Sequence, residues 1–200
     1  MKNLGILISG RGSNFEVIAR NAQSGRIPAR IAIVVSNRED APGLARAREM
    51  GLKAVCIPSR GKARDAFDQE VAGILKASNV DLVCLAGFMR VLGPTIIREF
   101  PRHILNIHPA LLPAFPGVEA QKQALDYGVK FSGCTVHLVD EGVDTGPIVC
   151  QGVVPVLDGD SVEMLSARIL AEEHRIYTEA ICLMLEGRFE IEGRRVKIVE

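Results

Sequence analysis

The 200-residue chain lacks an excess of charge of either sign and a long apolar run. Its 24 basic residues balance 24 acidic residues, so no overall field favours nucleic acid or an anionic membrane. No apolar run approaches the roughly 18 residues of a membrane span, and the first apolar segment is too short for a signal peptide. These absences predict a cytoplasmic protein that has neither a nucleic-acid nor a membrane partner.

Markers of a disulfide framework, a metal site and a second domain are also missing. The number of cysteines is odd and no C-x-x-C spacing occurs, which favours reduced core thiols. No His, Cys, Asp or Glu cluster has metal-ligand spacing, so no metal is expected. Without a repeat, linker or low-complexity stretch, residues 1–200 are expected to form a single domain. The cysteines are Cys56, Cys84, Cys134, Cys150 and Cys182.

Strand and helix patterns alternate through the first half, and this βαβ order predicts a parallel sheet with right-handed crossovers. In the second half, two strands joined by a glycine-rich loop predict an antiparallel pair. The expected fold class is therefore α/β, a Rossmann-like open twisted sheet whose amino-terminal half is parallel and whose carboxyl-terminal half adds antiparallel strands. Strands are predicted at 4–9, 31–36, 54–57, 81–86, 104–108, 131–139, 147–156 and, as a pair, within 188–199. Helices are predicted at 14–24, 41–50, 64–77, 94–99, 119–127 and 161–186.

The clearest functional signal is an amide and an imidazole, Asn106 and His108, two positions apart at the end of a predicted strand. Alternate side chains of a strand share one face, and open α/β sheets bind ligands at the carboxyl ends of their strands. Asp144, in a later glycine-punctuated loop, could hold the imidazole in its protonated form. No hydroxyl or thiol nucleophile accompanies them, which favours direct acyl-type transfer with oxyanion stabilisation. The alternative is an Asn and a His that merely fill the core.

A glycine turn, Ser9-Gly-Arg-Gly-Ser-Asn14, joins the first strand to the first helix. Such a turn directs free N–H groups and a helix dipole at an anion, and Ser13 or Asn14 could cap the helix. Phe15 stands where the dinucleotide fingerprint needs its third glycine, and no Walker Lys-Ser/Thr pair follows. The turn therefore predicts a site for one phosphate, with a simple tight bend as the alternative.

The segment after the fourth strand, Leu85-Ala-Gly-Phe-Met-Arg-Val-Leu92, combines a glycine turn with large apolar groups. Apolar groups beside exposed backbone atoms suit a flat heteroaromatic ring. The alternative is that Phe88, Met89 and Leu92 plug the core.

Together these motifs resemble the phosphoribosylglycinamide formyltransferases, a folate-dependent family. The matching segments are 8–14, 85–90, 106–113, 133–147 and 172–174, in the family's order and along the whole chain. The resemblance implies transfer of a formyl group from 10-formyltetrahydrofolate, as cosubstrate, to the amine of glycinamide ribonucleotide. The sequence departs from the family at two positions: Ala110 stands where Ser is common, and Glu119 stands where His is often found. Both departures concern secondary contacts. Leu112-Pro113 occupies a position that is a cis peptide in the family.

The same resemblance assigns roles to individual residues. Asn106, His108 and Asp144 occupy the catalytic positions, where Asn106 and His108 would stabilise the oxyanion and Asp144 would hold His108 protonated. Without the resemblance, Arg64 and Glu173 would be interpreted as solvated helix residues. His137 would be interpreted as a structural histidine rather than as a neighbour of the site. The substrate positions are Gly12, Ser13, Asn14, Leu170, Ala171, Glu172 and Glu173. The folate positions are Arg64, Met89, Arg90, Val91, Leu92, Asn106, Asp140, Glu141, Gly142, Val143 and Asp144.

Three other functions share part of this pattern. A methionyl-tRNA formyltransferase would need a further carboxyl-terminal domain and a basic surface. A formyltetrahydrofolate hydrolase would carry a regulatory extension before its first strand, whereas the first strand here is predicted from Leu4. A nucleotide-binding regulatory module would have no use for Asn106, His108 and Asp144 together. The transferase is therefore expected, with small-molecule substrates and a monomeric or homodimeric state.

Overall fold

The computed structural model describes residues 1–199, which divide into two compact units, Met1–Leu105 and the part from Asn106 onward. Strand β5, Ile104–His108, begins in the first unit and ends in the second. The expectation of a single domain stays a prediction. No helix among residues 1–199 is both long and apolar enough to cross a membrane.

The first unit is a parallel sheet with strand order β3-β2-β1-β4. The central strand β1 is buried along almost its whole length, as expected for a parallel strand covered on both faces. Gly5 lets a helix approach this strand, since a Cβ there would lie 2.6 Å from Cδ2 of Leu75. The strands are β1 Lys2–Ile8, β2 Ala29–Ser36, β3 Ala54–Cys56 and β4 Leu82–Leu85. The helices are α1 Ser13–Gln23, α2 Pro42–Glu49, α3 Arg64–Ala77 and α4 Pro94–Glu99.

The second unit contains two antiparallel strand pairs and a long helix. Strands β6 and β7 pair antiparallel, and so do β8 and β9. A Cβ on Gly133 would lie 1.9 Å from the carbonyl oxygen of Gly152, so β6 and β7 approach closely here. The elements are α5 Ala120–Tyr127, β6 Phe131–Leu138, β7 Ile148–Pro155, α6 Val162–Glu186, β8 Phe189–Glu192 and β9 Arg195–Ile198.

The strand directions confirm the predicted fold class, with parallel pairs in the first half and antiparallel pairs added in the second, where β7 and β9 also form one parallel bridge at Ile148 and Arg195. Helix α6 also begins and ends as expected, because Ser161 accepts a bond from the Met164 N–H and Gly187 closes the helix in the left-handed conformation. One detail is wrong. The N-cap of α1 is Gly12, and neither Ser13 nor Asn14 caps the helix with its side chain.

The cysteines are free thiols, as expected, but not all of them are core residues. Cys84 and Cys134 are buried, whereas the other three are only partly buried. Burial raises the pKa of Cys134 strongly and that of Cys150 to about 12, so both remain neutral thiols. This excludes an activated thiolate at either position.

Candidate active site

Asn106 and His108 lie on one face at the end of β5, where Pro109 stops the strand. His108 is 4% exposed and Asn106 is half-buried. The structure brings Asp144 to the same place, with its Oδ2 atom 3.3 Å from Nδ1 of His108. Nδ2 of Asn106 lies 3.5 Å from the other carboxylate oxygen, Oδ1. The three residues predicted to be catalytic therefore form one cluster in the second unit.

The two ring nitrogens of His108 face a main-chain carbonyl and a carboxylate. Its Nε2 atom lies 2.8 Å from the carbonyl oxygen of Phe115, while Nδ1 faces the Asp144 carboxylate. A carbonyl oxygen can only accept a hydrogen bond, so Nε2 donates to Phe115, and a proton on Nδ1 would face the Asp144 carboxylate. The geometry therefore places a carboxylate where it could balance the charge of the imidazole whenever that ring is protonated.

Asp144 is held in its ionised form. Burial raises the pKa of this carboxyl, but the neighbouring His137, the Gly117 N–H and the His108 imidazole outweigh burial and hold the pKa below its ordinary value. The Gly117 N–H donates to Oδ2 at 2.8 Å. A carboxyl group with a lowered pKa thus lies against the His108 ring.

The loop that carries Asp144 is folded on itself. Oδ1 of Asp140 accepts from the Gly142 N–H at 3.1 Å and from the Thr145 hydroxyl at 2.6 Å. Gly146 has no room for a side chain, because a Cβ would lie 1.7 Å from the Leu138 carbonyl oxygen. Asp144 itself has a φ of 55°, a left-handed conformation that aspartate tolerates better than most residues. These constraints direct its carboxylate at β5.

His137 belongs to this cluster, although its sequence context favoured a purely structural role. Its Nε2 atom lies 3.1 Å from Nδ2 of Asn106, and its Nδ1 atom lies 2.9 Å from the Leu138 carbonyl oxygen. The same Nε2 atom lies 3.6 Å from Oδ1 of Asp144, so the ring stands beside both the amide and the carboxylate. The available signal was the alternation of His137 with Thr135 on the strand leading to the Asp144 loop.

The predicted phosphate loop lies at the carboxyl end of β1 in the first unit. Gly12 has a φ of 79°, and its main chain passes Gly43, whose N–H donates to the Gly10 carbonyl oxygen at 3.1 Å. Ser13 and Asn14 form the first turn of α1. The loop therefore presents a helix N-terminus, the arrangement that binds anions.

The segment after β4 splits between the two interpretations that its sequence left open. Leu92 is buried and serves the core, whereas Met89 and Val91 are 72% and 41% exposed. The Arg90 guanidinium donates to two backbone carbonyls, those of Ser59 at 2.9 Å and Lys62 at 3.1 Å. Because the side chain of Arg90 is bonded within the protein, we expect any contact of Arg90 with a ligand to be made by its main chain.

The remaining predicted binding residues lie on helices. Arg64 is the exposed first residue of α3. On α6, Glu173 is only 7% exposed, which excludes the solvated alternative, and Glu172 is bonded to Arg175 at 3.1 Å. Leu170 is half-buried and Ala171 exposed. The roles of all these residues stay predictions.

Two further features concern ligands. A cleft of about 330 Å³ in the first unit lies at the amino ends of β2 and β3, lined by Arg30, Lys53 and Ser78 among others, and contains none of the predicted site residues. Within residues 1–199, no group of three or more His, Cys, Asp or Glu side chains is arranged to hold a metal ion.

Comparison with known proteins places the chain in a family. The model of the formyl transferase family matches residues 2–181, and the chain belongs to this family. It is 45% identical over 190 residues to the trifunctional purine biosynthetic protein adenosine-3 of Drosophila melanogaster, covering 93% of the chain but only 14% of that protein. It is 39% identical to the phosphoribosylglycinamide formyltransferase of Escherichia coli strain K12, covering 94% of the chain and 90% of that enzyme. The structure of glycinamide ribonucleotide transformylase 1 from Symbiobacterium toebii is 57% identical, with a TM-score of 0.98 over 100% of this chain and 95% of that one.

Proposed function

We propose that the protein transfers the formyl group of 10-formyltetrahydrofolate to the amine of glycinamide ribonucleotide, a step of purine biosynthesis. The observation that carries the proposal is the cluster of Asn106, His108 and Asp144 in a member of the formyl transferase family. The names of the E. coli and S. toebii relatives supply the acceptor. A folate formyl donor is what the family uses.

The cluster suits direct transfer. The substrate amine attacks the formyl carbon, a C–N bond forms, and the carbonyl oxygen takes the negative charge. Nδ2 of Asn106 directs one N–H at His137, and because its 3.5 Å contact to Asp144 is long, the second N–H can donate to that oxygen. The cationic His108 stabilises the same charge through its field or by giving a proton. Collapse then breaks the bond to the folate nitrogen, and the amine proton is transferred to it.

We assign one binding subsite to each substrate. The turn at Gly12, Ser13 and Asn14 would hold the nucleotide phosphate, and the buried Glu173 with its preceding turn would hold the ribosyl-glycinamide end. The segment from Met89 to Leu92 and the loop from Asp140 to Asp144 would hold the folate, together with Arg64. We expect no nucleic-acid or membrane partner, a cytoplasmic location and a monomer or homodimer.

Steady-state rates with both substrates test the proposal. Formation of tetrahydrofolate should require glycinamide ribonucleotide, and methionyl-tRNA should not replace it. A binding titration without turnover should show a site for each substrate. Formyl transfer to methionyl-tRNA, with none to glycinamide ribonucleotide, would contradict the proposal.

Gly12→Val should raise the KM for glycinamide ribonucleotide and barely change that for the folate. A valine at a φ of 79° is strained, and its Cβ would lie 3.2 Å from Cα of Gly43, so the anion-binding turn is distorted. Gly73→Val, where no atom lies within 4 Å of the added Cβ, is the matched control in the same unit. A rise in the folate KM alone would mean that the two subsites are reversed.

Glu173→Gln should weaken nucleotide binding without changing kcat by more than a few-fold. The substitution keeps the shape but removes the charge, so a contact to a cationic amine loses more than a contact to a hydroxyl. Isothermal titration with glycinamide ribonucleotide measures the change. Glu179→Gln, at an exposed position two turns along the same helix, is the control. Unchanged binding in Glu173→Gln would return that residue to a structural role.

A further inference from the structure

The main chain from Met89 to Gly93 is fastened at both ends by buried polar side chains. At one end, the Met89 N–H donates to Oγ of Ser9 at 2.7 Å, and that hydroxyl donates to Oδ1 of Asn37 at 2.6 Å. At the other end, the Gly93 N–H donates to Oδ2 of Asp68 at 2.6 Å. Between the two ends, the N–H and carbonyl groups of residues 90–92 make no hydrogen bond within the described part of the chain. The segment is thus held at both ends, and the main-chain polar groups of residues 90–92 between them are available to a ligand.

Asp68 is an unusual residue to find at this position. It is fully buried on α3, and its second carboxylate oxygen, Oδ1, has no hydrogen-bond partner among the described residues. Burial raises the pKa of Asp68 despite the opposing effects of the Gly93 N–H, Arg90 and Arg64. Burying a carboxyl group with half of its acceptors unused is costly, so its position needs a reason other than stability.

The surroundings of Asp68 all serve the same segment. Phe67, its neighbour on α3, stacks on Phe88 with ring centroids 6.3 Å apart. The Arg90 guanidinium lies 4.7 Å above the Phe67 ring. Gly93 can have no side chain, because a Cβ would lie 2.6 Å from Oδ2 of Asp68. Two successive residues of α3, Phe67 and Asp68, therefore both contact residues 88–93.

We propose that Asp68 is a positioning residue for the formyl donor: its bond to the Gly93 N–H fixes the free main-chain groups of residues 90–92 so that they can bind the flat ring of a folate. This inference rests on the proposed function. Asp68 does not touch the substrate and acts through the main chain. Loss of the Asp68 carboxylate leaves the Gly93 N–H without an acceptor and lets the segment from Met89 to Gly93 move. This motion lowers the affinity for a ligand that needs preorganised main-chain groups.

The test is a comparison of three variants by steady-state kinetics. Asp68→Ala should raise the KM for 10-formyltetrahydrofolate at least about tenfold, with the KM for glycinamide ribonucleotide and kcat within about twofold. Asp68→Asn keeps an oxygen acceptor for Gly93 and should stay within about threefold of the wild type. Asp81→Ala is the matched control, because it also removes an aspartate that accepts a main-chain N–H, that of Asn3 at 2.7 Å. Asp81 immediately precedes β4, whereas the segment from Met89 to Gly93 follows it. Asp81→Ala should leave the folate KM unchanged.

Three outcomes would overturn the inference: an unchanged folate KM in folded Asp68→Ala, an equal rise in both KM values, or an equal rise in Asp81→Ala. If Asp68→Ala does not fold, Asp68→Ser replaces it, since its hydroxyl stops short of Gly93. Calorimetric titration with tetrahydrofolate separates the two proposals. If the wild type binds tetrahydrofolate but transfers no formyl group, the proposed function fails while weakened binding in Asp68→Ala still supports the positioning role. No binding by the wild type would overturn both.

Discussion

His108→Ala should lower turnover by at least about a hundred-fold and leave the fold intact. In the proposed mechanism the protonated imidazole stabilises the oxyanion, and loss of one such group costs on the order of a hundred-fold to a thousand-fold in rate. The effect should appear in kcat and kcat/KM alike, because the stabilised charge exists only in the transition state. Initial rates at saturating concentrations of both substrates measure it, and circular dichroism checks the fold.

His103→Ala is the control for this variant. His103 is exposed, and its Nδ1 atom lies 2.7 Å from the Pro101 carbonyl oxygen, so it is another histidine bonded to a main-chain carbonyl but outside the cluster. Its turnover should equal that of the wild type. Near-normal turnover in His108→Ala would remove His108 from the mechanism.

Asp144→Ala should also lower turnover by at least about a hundred-fold. The variant removes the carboxylate that faces Nδ1 of His108 and accepts the Gly117 N–H, so the cation loses its counterion and the 115–117 turn loses a support. Asp158→Ala, which removes an exposed aspartate beyond β7, should have no effect. Equal activity of the two variants would contradict the assigned role.

Because the pKa of Asp144 is lowered, the contribution of its carboxylate to the free energy of unfolding depends on pH. A carboxyl group whose pKa is lower in the folded state contributes stability that is fully present above its unfolded pKa, about 3.9 for an aspartate, and is lost as the pH falls through the folded value. Replacement by Asn removes this contribution. Acid unfolding of Asp144→Asn should therefore be less steep than that of the wild type below about pH 4. Identical acid limbs would show that Asp144 is not held ionised by the fold.

Local patterns were sufficient to predict the elements and the shared face of Asn106 and His108. Asn106 and His108 share a face because strands alternate with a period of two, and a proline marks where the strand ends. The Asp144 loop is punctuated by glycines whose positions leave no room for a Cβ. These are short-range rules, and they do not depend on how distant segments meet.

Contacts between distant segments could not be read in this way. The Phe115 carbonyl that accepts from His108 and the Gly117 N–H that donates to Asp144 are main-chain groups, which carry no sequence signal. The place of His137 beside Asn106 depends on the pairing of strands and not on its neighbours in sequence. Asp68 belongs to no motif of the sequence, and only its burial and its bond to Gly93 distinguish it.

The fate of an isotopically labelled formyl group tests the central claim most directly. The wild type is incubated with 10-[¹³C]formyltetrahydrofolate, with and without glycinamide ribonucleotide, and the products are identified by NMR and mass spectrometry. The account predicts that the label enters an N-formyl amide of glycinamide ribonucleotide in equal amount to the tetrahydrofolate formed, and that little is released without the acceptor. Release of the label as formate at the same rate with or without glycinamide ribonucleotide would show that water is the acceptor and would contradict the account.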